Sequence, residues 1–196
     1  ILSKSGYTGE NGFELFFKPA DPSRAIGLWD YVMECGKEFS ITPCGIGARD
    51  TLRIESGYTL YGHETYEAQL LSTWVDEVTP LQAGLDFALH MDKEFIGKEA
   101  LLRQGKEGIR TKLAHFELGE KAIPRSGDGI FKDGRQVGSV TSGTKTPILS
   151  YSIAMGYVET GTEGDVDIEI RGKLRKAKIV NAPFYNPKRY GAYRET

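Results

Sequence analysis

Cysteine is scarce in this chain: Cys35 and Cys44 are the only two in 196 residues. Nine positions apart and without a matching pair elsewhere, they signal neither a disulfide framework nor a zinc site, and reduced thiols in a cytosol-like compartment are expected. No apolar run approaches the roughly 18–20 residues of a membrane span, and no signal-peptide pattern is present. An excess of positive charge is also missing. Lys and Arg total 25 against 27 Asp and Glu, a formal net charge of -2, so there is no broad basic field to attract nucleic acid. The opening Ile1-Leu2-Ser3-Lys4 has no methionine and is already strand-like. It reads as part of something longer.

The segment Tyr7-Thr8-Gly9-Glu10-Asn11-Gly12-Phe13-Glu14 carries the strongest local signal. Asn-Gly is preferred where both central turn residues need positive φ, and Phe13, Leu15 and Phe17 alternate with Glu14, Phe16 and Lys18. A two-residue hairpin with a half-buried second strand is predicted. With Glu10 opposite Phe13, Tyr7 and Glu14 become diagonal neighbours roughly 7–8 Å apart. A flat heteroaromatic ligand lying over Gly9 could then meet a phenol, an aromatic ring and a carboxylate. A solvated strand glutamate and a glycine needed for its backbone freedom explain the same residues without a ligand.

Asp21-Pro22-Ser23 reads as a helix start, followed by Ala25, Leu28, Trp29, Val32 and Met33 at helical spacing and a stop at Gly36, a helix expected to pack into the core. A second helix is predicted over Gly45 to Glu55, ended by Gly57. It places Arg49 and Arg53 on one face, where like charges repel. Asp50 or Glu55 can pair with one arginine, and an anionic ligand can meet the other. Gly45-Ile46-Gly47 lacks the third glycine and the βαβ context of a dinucleotide site. His63 beside Glu64 reads either as an acid–base pair or as a polar loop group.

Farther on, Leu85 to His90 is predicted as a strand and Gly97 to Gln104 as a short helix. The polar, Gly-rich run after Gln104 marks a domain boundary, with residues 1–104 before it, 105–110 as linker and 111–196 after it. From Thr111 the pattern becomes all-β. Turn signals at Ser126 to Gly129 and Asp133-Gly134 separate alternating segments such as Val166 to Ile170, as in a small barrel or sandwich of about 85 residues. The tail from Pro183 to Arg189 is basic and aromatic, suited to docking or to an anion contact.

Several of these stretches resemble one family. Gly6 to Glu14 is similar to the Gly-Tyr-Thr-Gly-Glu-Asp-Gly-Phe-Glu signature of aminomethyltransferase, the T-protein of the glycine cleavage system. Gly45 to Gly57 and Leu60-Tyr61-Gly62-His63-Glu64 resemble its second signature. Pro80 to Leu85, Phe95 to Leu101, Gly138 to Gly143 and Ala154 to Val158 follow in the family's order. Asp86-Phe87 departs from the usual Gly-Trp.

The resemblance implies an α+β chain: partial folate-binding aminomethyltransferase-type domains followed by a complete C-terminal antiparallel β-barrel, corresponding to the C-terminal half of a family member. It implies tetrahydrofolate as one-carbon acceptor, no metal, and the lipoylated H-protein as partner, with neither nucleic acid nor a membrane involved. The compartment would be the bacterial cytoplasm, or the mitochondrion in a eukaryote. Glu14 looks like the carboxylate that receives the pterin donors, Tyr7 like its companion, Arg49 like an arginine of the folate site, and Arg189 like a residue near the glutamyl tail. The family's catalytic aspartate lies in the other half, so no residue here takes that role and the chain alone is expected to be inactive. Other folate-dependent methyl or methylene transferases and demethylases share the fold. The related iron–sulfur assembly proteins carry a Cys-containing motif where this chain has Leu60 to Glu64. A non-catalytic module whose barrel docks a carrier protein is the alternative from another class.

Overall fold

A computed structural model describes residues 1–18, 21–65, 78–119 and 122–186. The chain opens with two short paired strands, β1 (Leu2–Ser3) and β2 (Glu14–Leu15), followed by helices α1 (Ser23–Cys35), α2 (Ile46–Glu55) and α3 (Lys98–Glu107). Six further strands follow: β3 (Thr111–Leu118), β4 (Gly129–Lys132), β5 (Arg135–Lys145), β6 (Ser152–Glu159), β7 (Asp165–Ile170) and β8 (Lys173–Val180). They close into an antiparallel barrel in the order β3-β6-β5-β4-β7-β8, so the architecture is α+β with a complete barrel.

Period-two alternation builds the barrel interior. Ala114, Phe116 and Leu118 of β3, Ala154 and Val158 of β6, and Val166, Ile168 and Ile170 of β7 form one core cluster. Strand β6 is buried on both faces. Its inner residues join that cluster, and its outer Ile153 and Met155 join a second one with Ile54 of α2, Leu149 and Phe184. This covered outer face makes β6 read as a continuous apolar run rather than an alternating one.

Helix α2 is therefore seated on the outside of β5 and β6. It ends as its glycine predicts: the N–H of Tyr58 donates to the Arg53 carbonyl and that of Gly57 to the Ile54 carbonyl, both at 2.9 Å, with Gly57 at φ +72°. This is a Schellman closure, and it turns the chain into the loop that carries Glu64.

That loop and α2 are joined to the barrel by an ion pair with 0 % exposure on both sides: Arg53 Nη1 donates to Glu64 Oε2 at 2.7 Å. Arg53 Nε donates to Asp50 at 2.7 Å, and Nη2 donates to the Ser142 hydroxyl at 2.8 Å. Glu64 also accepts from the Leu60 N–H at 2.9 Å and from the Thr141 hydroxyl at 2.8 Å. The register of β5 shifts between Val140 and Ser142. A bulge there turns consecutive residues, Thr141 and Ser142, toward the ion pair, which an unbroken alternation could not do.

Three local expectations are corrected. The Asn11-Gly12 hairpin does not form: Leu2 pairs with Leu15 and Ser3 with Glu14, so residues 4–13 make a long loop, and Gly9 takes the positive φ of 77°. Distant contacts hold that loop. Ser56 donates to the Thr8 carbonyl at 3.0 Å, a Cβ on Gly9 would collide with the Ser56 hydroxyl, and the Glu10 carboxylate accepts from the Tyr185 hydroxyl. The strand after it is not half-buried, as Phe13 at 65 % exposure shows. Leu85 to His90 contains a 3-10 turn, Asp86–Ala88, instead of a strand. Helix α1 forms with the Ser23 N–H donating to Asp21 at 3.0 Å, but no residue of it is buried and Trp29 is 56 % exposed. It packs chiefly on the 3-10 turn that follows it (Lys37–Phe39).

Removing one partner of the Arg53–Glu64 pair leaves the other charge buried. Glu64→Gln is expected to lower unfolding free energy by about 3–5 kcal/mol. The double variant Arg53→Met/Glu64→Gln should lose clearly less than the sum of the two single changes in urea unfolding.

Candidate functional site

A cavity of about 560 Å³ lies where the loop after β1, the end of α2, the segment near Leu85 and the face of β3 meet; Tyr7, Tyr58, Leu85, Phe87, Leu113 and His115 are among its walls. Tyr7 is brought there by its phenol, which donates to the Thr59 carbonyl. Its ring lies 5.8 Å from that of Tyr58, tilted by 34°. The Arg49 guanidinium stands 5.1 Å from the Tyr7 ring centroid, a cation–π contact. Burial pushes the Tyr7 pKa up, so the phenol stays protonated at neutral pH.

The four candidates named from sequence are placed differently. Tyr7 and Arg49 are together. Glu14 is exposed on β2 and is linked to the same loop by the Ser5 hydroxyl, which donates to its carboxylate; it does not line the cavity. Arg189 lies outside the described residues. The two arginines of α2 divide as their charges require: Asp50 and Glu64 neutralise Arg53, while Arg49 is exposed beside Tyr7. His63 and Glu64 are not an acid–base dyad, because Glu64 is committed to Arg53 and the exposed His63 faces Ser142 Oγ at 3.4 Å.

His115 was not singled out from sequence. It stands on the outer face of β3 between Leu113 and Glu117, and its ring packs edge-on against Phe184 at 5.6 Å. Its Nε2 is buried without a hydrogen-bond partner. Burial pulls its pKa down, with the Gly57 backbone and Glu64 opposing, so the imidazole is neutral in the folded protein. A lone histidine in a strand gives no signal in sequence; it becomes visible once Phe184 covers it. Glu55 is a second buried titratable group; burial pushes its pKa up, with the Thr146 hydroxyl opposing. Among the described residues no group of His, Cys, Asp and Glu is arranged to hold a metal, and no helix is long and apolar enough to cross a membrane.

Taken together, this is an α+β protein in which a loop-and-helix segment is clasped to a closed barrel, with an aromatic-walled cavity at the seam. The family model described as the GCVT N-terminal domain matches residues 1–93, and that of the glycine cleavage T-protein C-terminal barrel domain matches residues 111–186. The chain belongs to the glycine cleavage T-protein family, the aminomethyltransferases. It is 52 % identical to a probable aminomethyltransferase of Thermococcus kodakarensis over all of this chain and 52 % of that protein. It is 43 % identical to an aminomethyltransferase of Clostridium botulinum over 96 % of this chain and 49 % of that protein. The crystal structure of the glycine cleavage system aminomethyltransferase T from Bartonella henselae superposes with a TM-score of 0.79 at 30 % identity, over 94 % of this chain and 49 % of that one. The chain spans about half the length of the curated relatives it matches.

The neutral His115 sets a pH dependence of stability. Its folded pKa lies below the ordinary value of 6.5, so the unfolded chain takes up the proton first and stability is lost as pH falls below that value. Urea titrations from pH 8 to pH 5 are expected to show this loss, and His115→Gln to reduce its slope.

Proposed function

We propose that this chain is the C-terminal part of a tetrahydrofolate-dependent aminomethyltransferase of the glycine cleavage system. The whole protein would move the methylene carbon from the aminomethyl group on the lipoyl arm of an H-protein to tetrahydrofolate, with release of ammonia. The observation that carries the proposal is the Tyr7–Arg49 pair at an aromatic-walled cavity of about 560 Å³, within the span of small-molecule sites, in a chain of this family.

The residues present fit a folate in kind. A pterin is flat and carries donors on one edge. Tyr7 supplies an aromatic wall, and Glu14, outside the cavity lining but tied through Ser5 to the loop that carries Tyr7, offers carboxylate oxygens as acceptors for those donors. Arg49 supplies a cation for the carboxylates of the glutamyl tail. The cavity walls Leu85 and Leu113 are apolar, as is the exposed ring of Phe87, a surface that sheds water once a ligand covers it, as an iminium-like intermediate requires. Positioning is then the main contribution of these residues. No proton-transfer role is assigned to any of them.

Two outcomes test this. Titration calorimetry with tetrahydrofolate should show binding that weakens about 10- to 100-fold in Glu14→Gln, the loss of one or two partly solvated charge-assisted hydrogen bonds; no binding by the wild type would remove the folate reading. Because the chain spans half of its relatives, the chain alone mixed with aminomethyl-lipoyl H-protein and tetrahydrofolate should form no 5,10-methylenetetrahydrofolate. Detectable product would show that this half is sufficient.

A further inference from the structure

The segment that follows β8 crosses the outer face of the barrel as a strap. The ladder between β3 and β8 reaches Val180, opposite His115, so Ala182 to Tyr185 lie beyond it. Ala182 packs on the closing turn of α2, where a Cβ on Gly57 would collide with its methyl group. Phe184 lies edge-on to the His115 ring and belongs to the cluster that joins α2 to β6. The Tyr185 N–H donates to the Glu55 carbonyl at 3.0 Å. Ala182 and Pro183 at the same time form part of the wall of the Tyr7 cavity.

His115 lies beneath this strap, on a strand that is paired with β6 along its length. Its Nε2 is buried with no hydrogen-bond partner. An imidazolium in that place would need water or an acceptor for its second N–H. The charged groups nearby do not supply one. Glu64 and the Gly57 backbone favour the proton, but burial outweighs both, and Glu64 is committed to Arg53. On β3 itself, Glu117 stands opposite Lys178 of β8 and accepts from the Tyr151 hydroxyl at 3.0 Å. From β6 the residue opposite His115 is Met155. Glu55 of α2 is pushed by burial toward its own neutral form, and Glu10 of the first loop accepts from the Tyr185 hydroxyl.

We propose that the strap from Ala182 to Tyr185 is a pH-sensitive wall of the cavity, seated while His115 is neutral and released when the imidazole takes a proton. Of the elements packed on His115, β6 and β8 are fixed by the ladder and α2 by the Arg53–Glu64 network. The strap lies outside both, so it can move and admit water without opening the barrel. With the strap lifted, the imidazole regains its ordinary value of 6.5; with the strap seated, it titrates lower. Lifting therefore becomes easier as pH falls through 6.5, until the seated value is reached. Glu55 has the opposite sign, because its raised pKa favours burial more as pH falls, so release in acid is the signature of His115. The wall is lost whatever ligand the cavity takes, and the inference stands apart from the folate reading.

Hydrogen exchange of the Tyr185 amide in this chain, followed by NMR and corrected for the intrinsic pH dependence of exchange, tests the proposal. At pH 7.5 this amide is expected to exchange faster than the amides of β6, through a local opening insensitive to low urea. Its protection should fall about three- to tenfold between pH 7.5 and pH 5.5 and stay constant in His115→Gln. A reciprocal readout leaves the histidine in place: in Phe184→Ala, the His115 imidazole, titrated through its ring protons, should shift upward toward its ordinary value. Tyr185 protection that is flat in the wild type, or that falls equally in His115→Gln, would overturn the proposal, as would a His115 titration unmoved by Phe184→Ala. Loss of Tyr185 protection only together with the β6 amides would overturn it too, by showing that His115 acts on the whole fold and not on the strap.

Discussion

The Arg53–Glu64 pair is the interaction on which the arrangement of this protein depends. Neither charge is exposed to water, so each requires the other, and every group that completes their hydrogen bonding is fixed in turn. Asp50 holds the guanidinium from within α2, Ser142 and Thr141 hold the pair from the bulged β5, and the Leu60 N–H holds the carboxylate from the loop. Tyr157 closes the set by donating to the Glu64 carbonyl at 2.8 Å. One helix, one loop and two barrel strands meet in a single polar network. Such a network stabilises only when every member is satisfied, and it specifies one docking of α2 on the barrel.

From that docking the cavity follows. With α2 anchored, its Schellman end directs Ser56, Gly57 and Tyr58 toward β3, and Ser56 captures the loop that carries Tyr7. The segment after β8 returns over the same place: the Tyr185 N–H donates to the Glu55 carbonyl at 3.0 Å, and Phe184 covers His115. The aromatic wall is therefore assembled from residues near positions 7, 58, 87 and 115 that no local motif relates. The chemical division between the two arginines of α2 has the same origin. Arg53 faces the barrel and is neutralised there, whereas Arg49, one turn earlier and exposed, is left for the Tyr7 ring.

The barrel was legible in the sequence and the first segment was not, and the difference lies in how far the deciding contacts reach. The alternation in β7 is read from neighbours two residues apart, and the turn at Asp133-Gly134 closes strands adjacent in sequence. The Asn11-Gly12 turn had an equally clear local signal but lost to contacts made across 48, 52 and 175 residues by Thr8, Tyr7 and Glu10. A turn preference is worth on the order of 1 kcal/mol, less than several such contacts together. Helix α1 shows the converse. Its spacing specified a helix correctly but could not say whether its apolar side chains would be covered. Of the site candidates, Tyr7 and Arg49 lay in recognisable motifs, whereas His115 acquires meaning only from what surrounds it.

By itself, then, the sequence determined the α+β class, the barrel, the second helix with its glycine stop, and the family to which the chain belongs, because each rests on periodicity or on motifs contiguous along the chain. Only the tertiary structure decided which arginine is buried, what covers His115, and that residues 4–13 bend to meet α2 rather than each other. Burial decides these matters. Whether a charge must be paired, a histidine kept neutral or a turn abandoned depends on the removal of water by residues distant in sequence, and that is settled when the elements pack.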